Sequence, residues 1–126
     1  ILEKMSREQV SSLPTFSDQI AQKLVQNANG FSFTVEPFML ENNGVLSHGV
    51  LTEILNTATH QLVASNGRSL IIEQMMVYFL QAVQLDDYLT LTSRVVRETR
   101  RSAIIDYDVY LDHQLVAKAT MTVKIN

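Results

Sequence analysis

The last third of the chain limits the possible folds more than any other part. "YLTLTSRVV", residues 88–96, alternates, with Leu89 and Leu91 on one side and Thr90 and Thr92 on the other. "SAIIDYDVYL", residues 102–111, aligns Ile105, Tyr107, Val109 and Leu111. "LVAKATMTVKIN", residues 115–126, sets Leu115, Ala117, Ala119, Met121, Val123 and Ile125 against Lys118, Thr120, Thr122 and Lys124. A period of two marks strands with one buried face. "RETRR" and "DHQ" between them are turns, so the neighbouring strands run antiparallel. "SLIIEQMMVYFLQAV", residues 69–83, reads as a further strand, apolar except where Glu73 and Gln74 interrupt it, and Asp86-Asp87 marks the turn after it.

A sheet with one apolar face must cover it. The cover comes from "VLSHGVLTEILNTATHQLVASNG", residues 45–67. Stepping 100° per residue from Leu51, the side chains of Leu51, Ile54, Leu55, Ala58 and Leu62 fall on one side; Glu53, Asn56 and His60 fall opposite. Gly67 ends the segment. Before it, "FSFTVEPFM" alternates through Phe31, Phe33 and Val35 and is closed by Pro37, and "LENNG" is a turn. "TFSDQIAQKLVQNANG", residues 15–30, reads as a helix with Phe16, Ile20 and Leu24 on its apolar side, capped by Thr15 or Ser17 and stopped by Asn29-Gly30. Residues 1–13 read as a further short helix. The expected architecture is α+β: one long helix cradled by a curved antiparallel sheet.

The chain has 126 residues, enough for one core. It is 46% hydrophobic and 18% charged, which excludes intrinsic disorder. Its net charge of −3 argues against a nucleic-acid surface. No apolar run reaches the roughly 20 residues of a membrane helix, and no signal peptide opens the chain. Cysteine is absent, so thiolate metal sites and thiol nucleophiles are excluded, and a cytoplasmic location is expected. His48, His60 and His113 lack metal-ligand spacing, and no metal site is expected. The chain begins at Ile1, which suggests a piece of a longer protein.

The joint order of these segments resembles the hot-dog fold, whose members include acyl-CoA thioesterases, dehydratases and acyl-CoA sensors. "NGVLSHGVLTEILNTA", "VYFLQAVQLDDYLTL", "VVRETRRSAIIDYDVY" and the ending "LVAKATMTVKI" carry the resemblance, over roughly residues 31–126. It implies about five strands around the helix, with residues 1–30 as an N-terminal linker or docking segment. Within the fold, the chain is most similar to the C-terminal hot-dog domain of bacterial regulators that also carry CBS and DRTGG domains. The resemblance implies a homodimer or a dimer of dimers, with a coenzyme A thioester in a tunnel between protomers and no other cofactor.

The candidate site follows residue by residue. Gly49 lets backbone approach a ligand closely. The free N–H groups of Gly49, Val50 and Leu51, with the helix dipole, favour developing negative charge. The plain alternative is that Gly49 eases packing against the sheet. His48 either bonds a ligand or caps the helix. In related thioesterases a carboxylate lies seven residues after the second glycine of His-Gly-Gly. Here Ser47-His48-Gly49 takes that place and Asn56 stands at the carboxylate position. A neutral amide is neither general base nor nucleophile, so Asn56 points to binding without turnover, or is simply a solvated helix residue. Glu53, one turn earlier on the same face, is the possible acid/base; the plain alternative is a solvated carboxylate. The helix Glu of dehydratases lies in a similar Gly-Val-Leu context, but Glu53 comes one residue early and their preceding Gly-His-x-Pro-Gly is missing. Arg97, Arg100 and Arg101 crowd one turn and could hold the phosphates of coenzyme A, or form a solvated turn with Glu98. Met75, Met76, Val77 and Phe79 suit either an acyl tunnel or the core. Three functions stay open: a non-catalytic acyl-CoA sensor within a larger regulatory protein, an acyl-CoA thioesterase, and a dimerisation module.

Overall fold

The computed structural model describes residues 15–28, 30–64 and 67–126. The expected helix over residues 1–13 lies outside them. Helix α1 (Phe16–Lys23) is followed by strands β1 (Val25–Asn27) and β2 (Gly30–Thr34), a 3₁₀ turn (Pro37–Met39), helix α2 (His48–Ala64), and strands β3 (Leu70–Phe79), β4 (Tyr88–Glu98), β5 (Ser102–Leu111) and β6 (Gln114–Ile125). The six strands form one sheet in the order β1-β2-β4-β5-β6-β3, with every neighbouring pair antiparallel. This is the hot-dog arrangement, with the long helix against the inner face of the sheet.

Most inner residues of β4, β5 and β6 are those the alternation selects: Leu89, Leu91, Ile105, Tyr107, Val109, Ala117, Ala119, Met121 and Val123 are all buried. Leu115 is an exception: the register between β5 and β6 shifts at Val109/Tyr110, Leu115 falls opposite Tyr110, and Val116 is buried in its place. They meet Leu51, Ile54, Leu55 and Ala58 of α2, and Phe31, Phe33 and Val35 from β2 and the residue after it. Burial on α2 is wider than the predicted stripe, because Val50, Thr57, Thr59 and Val63 are buried too. In β3 the interruption at Glu73-Gln74 is a bulge: the register against β6 shifts between Ile72 and Gln74.

One element differs from the expectation. The helix over 15–30 stops at Lys23, and Val25–Asn27 is a sixth strand. Thr15 and Asp18 form a reciprocal capping box at the start, but Leu24 already has extended backbone, with φ −88 and ψ 121. Eight residues make a marginal helix. Pairing of Val25, Gln26 and Asn27 with Ser32, Phe31 and Gly30 offers ladder bonds that one more helical turn would not. Gly30, expected as a helix stop, instead opens β2 at φ +150, where a Cβ would overlap the Leu91 carbonyl oxygen of β4. Only glycine allows that approach.

Candidate functional site

Ser47 caps α2. Its hydroxyl accepts from the Val50 amide at 3.5 Å and its carbonyl from the Leu51 amide at 3.1 Å. Of the three amides expected to face a ligand, Val50 and Leu51 are therefore satisfied within the helix, and the Val50 side chain is buried. Gly49 is exposed, and its amide has no hydrogen-bond partner among the described residues. A Cβ at Gly49 would meet only Ser47 Oγ, at 3.6 Å. Packing thus places no demand for glycine here.

Beside this helix end lies a half-open cavity of about 230 Å³, lined by Leu46, Ser47, His48, Leu51, Phe79, Val83, Leu89, Val116 and Ala117 among others. The His48 ring lies flat on the Phe79 ring, with centroids 3.6 Å apart and planes 9° from parallel. Phe79 is the last residue of β3, so the stack joins the start of the helix to the end of an edge strand. Met75 and Val77 are partly buried against the core, and Met76 is exposed.

Glu53 and Asn56 sit elsewhere. They share an open groove between the two helices, with Thr57, His60 and Gln61 from α2 and Ser17, Asp18 and Ala21 from α1. Both are half-buried. The Ser17 hydroxyl donates to Glu53 Oε1 at 2.7 Å, so α1 holds that carboxylate. Asn56 lies seven residues beyond Gly49, about 10 Å along the helix axis.

The arginines are at the far end. Arg97, one residue before the end of β4, lies on the outer face opposite Ile104, and Arg100 and Arg101 lie in the turn to β5; all three are exposed. This turn stands beside the start of β3 and the end of β6: the Ile125 amide donates to the Arg101 carbonyl at 2.7 Å, and Arg68 Nη2 to the Arg100 carbonyl at 2.9 Å. Arg68 adds a fourth guanidinium, which the sequence pattern did not flag. The 17 residues of α2 span about 25 Å, and the arginines lie beyond its C-terminal end. Within one protomer the fold keeps them apart from Gly49.

A buried network was also missed. Thr59 Oγ1 donates to the Leu55 carbonyl at 2.8 Å, lies 2.8 Å from the Tyr107 hydroxyl and 3.0 Å from Met121 Sδ. Burial pushes the Tyr107 hydroxyl up to about 12, with the Thr59 bond opposing. The available signal was Tyr107 itself: a phenol on the inward face of a strand needs a polar partner.

Comparison with known proteins agrees with the fold. Residues 43–118 match the sequence family described as the thioesterase superfamily. The Bacillus subtilis protein YtoI is 28% identical over 96 residues, covering 75% of this chain and 22% of its own length, so the chain spans about a fifth of that relative. A hypothetical thioesterase from Streptococcus pneumoniae, solved with coenzyme A, superposes with a TM-score of 0.73 at 24% identity, over 82% of this chain and 84% of that one. A Streptococcus mutans protein bound to acetyl-CoA superposes with a TM-score of 0.73 at 23% identity, over 82% and 87%. Among the described residues no helix is long and apolar enough to cross a membrane.

Proposed function

Because the chain belongs to the thioesterase superfamily, we propose that it binds a coenzyme A thioester at its helix N-terminus and does not hydrolyse it. The observation that carries this reading is the pairing of a ligand-ready Gly49 with an amide, Asn56, where related thioesterases keep a carboxylate. The Gly49 N–H can donate to the thioester carbonyl oxygen. Asn56 can hydrogen-bond but cannot take a proton from water. The complexes of similar folds with coenzyme A and acetyl-CoA support the ligand class.

The proposed site is completed by a second protomer. Strand β3 is an edge strand of 10 residues that exposes Ile71, Met76, Tyr78 and Phe79. An unpaired edge of this length is a template for another strand. Antiparallel pairing of two copies of β3 about a two-fold axis sets the Leu70 end of one beside the Phe79 end of the other. Arg68, Arg100 and Arg101 of one protomer then approach His48 and Gly49 of its partner, and can hold phosphates while Gly49 meets the thioester. The division of the candidate residues between opposite ends of the protomer supports this assembly. The match to about a fifth of YtoI supports a place inside a larger protein; we propose a ligand-sensing, regulatory role there, with CBS and DRTGG domains as companions.

Glu53 favours a second reading, a thioesterase. Its carboxylate shares the groove with Asn56 and could activate water once Ser17 releases it. A thiol-release assay across acyl chain lengths, run beside calorimetry, separates the two. Binding without thiol release supports the sensor. Turnover abolished by Glu53→Gln would sink it in favour of the enzyme, and dimers that bind no CoA ester leave only a dimerisation module.

A further inference from the structure

The cavity at the helix N-terminus limits what the thioester can carry. We infer that the site selects compact acyl groups, up to about the size of an octanoyl or phenylacetyl group, with the His48–Phe79 stack as the limiting wall. This rests on the reading of the site as one for coenzyme A thioesters.

The floor is fixed. Leu89 comes from β4, Val116 and Ala117 from β6 and Leu51 from α2, and all are at most 4% exposed. Close-packed core of this kind does not yield to a longer chain without strain. Within one protomer the cavity, open on one side, has a volume of about 230 Å³. An apolar protein cavity of about 150 Å³ holds benzene, about 25 Å³ per heavy atom, so this one holds about nine. An octanoyl or a phenylacetyl group has that number; a palmitoyl group has about twice as many. His48 and Phe79 both line the cavity and stack on each other; in this proposal they form the wall that a longer chain would have to part. Ser47 and His48, two of the polar lining residues, adjoin Gly49 in the chain, so the thioester carbonyl is proposed at that end and the alkyl end against the apolar floor.

The test is calorimetric titration of the unmodified protein with free coenzyme A and with its butanoyl, hexanoyl, phenylacetyl and palmitoyl thioesters, the last below its micelle concentration. Each methylene buried between butanoyl and hexanoyl should tighten binding about fourfold. Phenylacetyl should match or exceed hexanoyl, and palmitoyl should bind at least tenfold more weakly than hexanoyl. Phe79→Ala removes one ring of the stack from a partly exposed position and should bring palmitoyl back toward hexanoyl. Ala82→Phe, at the exposed rim, should shift the preference toward butanoyl. Palmitoyl binding as tightly as hexanoyl, or all thioesters binding no better than free coenzyme A, overturns the selection while leaving coenzyme A binding intact. No binding by any of the five compounds overturns the functional reading itself, and the selection with it.

Discussion

Replacing Thr59 by Val keeps the shape of the side chain and removes the hydroxyl that ties α2 to β5 and β6. The Tyr107 hydroxyl is then left in a fully buried site without its partner at 2.8 Å. An orphaned buried hydroxyl costs about 1–3 kcal/mol. Tyr107→Phe is milder, about 0.5–1.5 kcal/mol, because Thr59 keeps its bond to the Leu55 carbonyl. The double variant should cost less than the sum of the two by about 1 kcal/mol, since the second change removes the group that the first one orphans. Urea unfolding followed by circular dichroism at one fixed protein concentration measures this, association being held constant. The alkaline limb gives an independent check. The phenol has its raised value, about 12, only in the folded state, against 10.0 unfolded. Its contribution is therefore fully present below pH 10 and lost as pH rises from 10 to 12. Over that window the wild-type protein should lose up to about 3 kcal/mol relative to Tyr107→Phe. Additive single costs, or a wild-type-to-variant difference that stays flat between pH 9 and 11.5, would refute the account of this network.

Three other outcomes follow from the geometry. Gly49→Ala should leave stability unchanged or raise it by a few tenths of a kcal/mol to about 1, because the Cβ meets nothing closer than 3.6 Å, yet weaken coenzyme A thioester binding at least tenfold in calorimetry. Gly30→Ala should destabilise by several kcal/mol or prevent folding, because its Cβ overlaps the Leu91 carbonyl; thermal melts compare it with wild type. Arg101→Ala should weaken thioester binding several-fold, with a shallower dependence on salt; unchanged affinity would remove this arginine from the site.

Much of the candidate site was legible in parts and illegible as a whole. His48 and Gly49 could be found because helix starts and glycines are local signals, although the cap is Ser47 and not His48, which is already the first residue of the helix. Asn56 and Glu53 could be placed on one face because α-helical periodicity is local too. The Ser17 bond to Glu53 joins residues 36 apart in the chain, and no periodicity reports it. Nor could spacing show that Val50 and Leu51 spend their amides on Ser47, or that His48 stacks on Phe79.

The sequence by itself determined β3 to β6 and the apolar stripe of α2, because alternation and the 3.6-residue repeat directly express which side chains must leave water. Tertiary structure alone decided the fate of residues 24–27 and of Gly30. "LVQNANG" carries helix-compatible residues and a glycine that could end a helix, and only pairing with the neighbouring β2, with the Leu91 carbonyl pressing on Gly30, makes Val25–Asn27 a strand. Tertiary structure likewise decided that the arginines and Gly49 stand at opposite ends of one protomer. Which turn lies beside which helix end depends on strand order, and strand order is set by contacts between segments far apart in sequence.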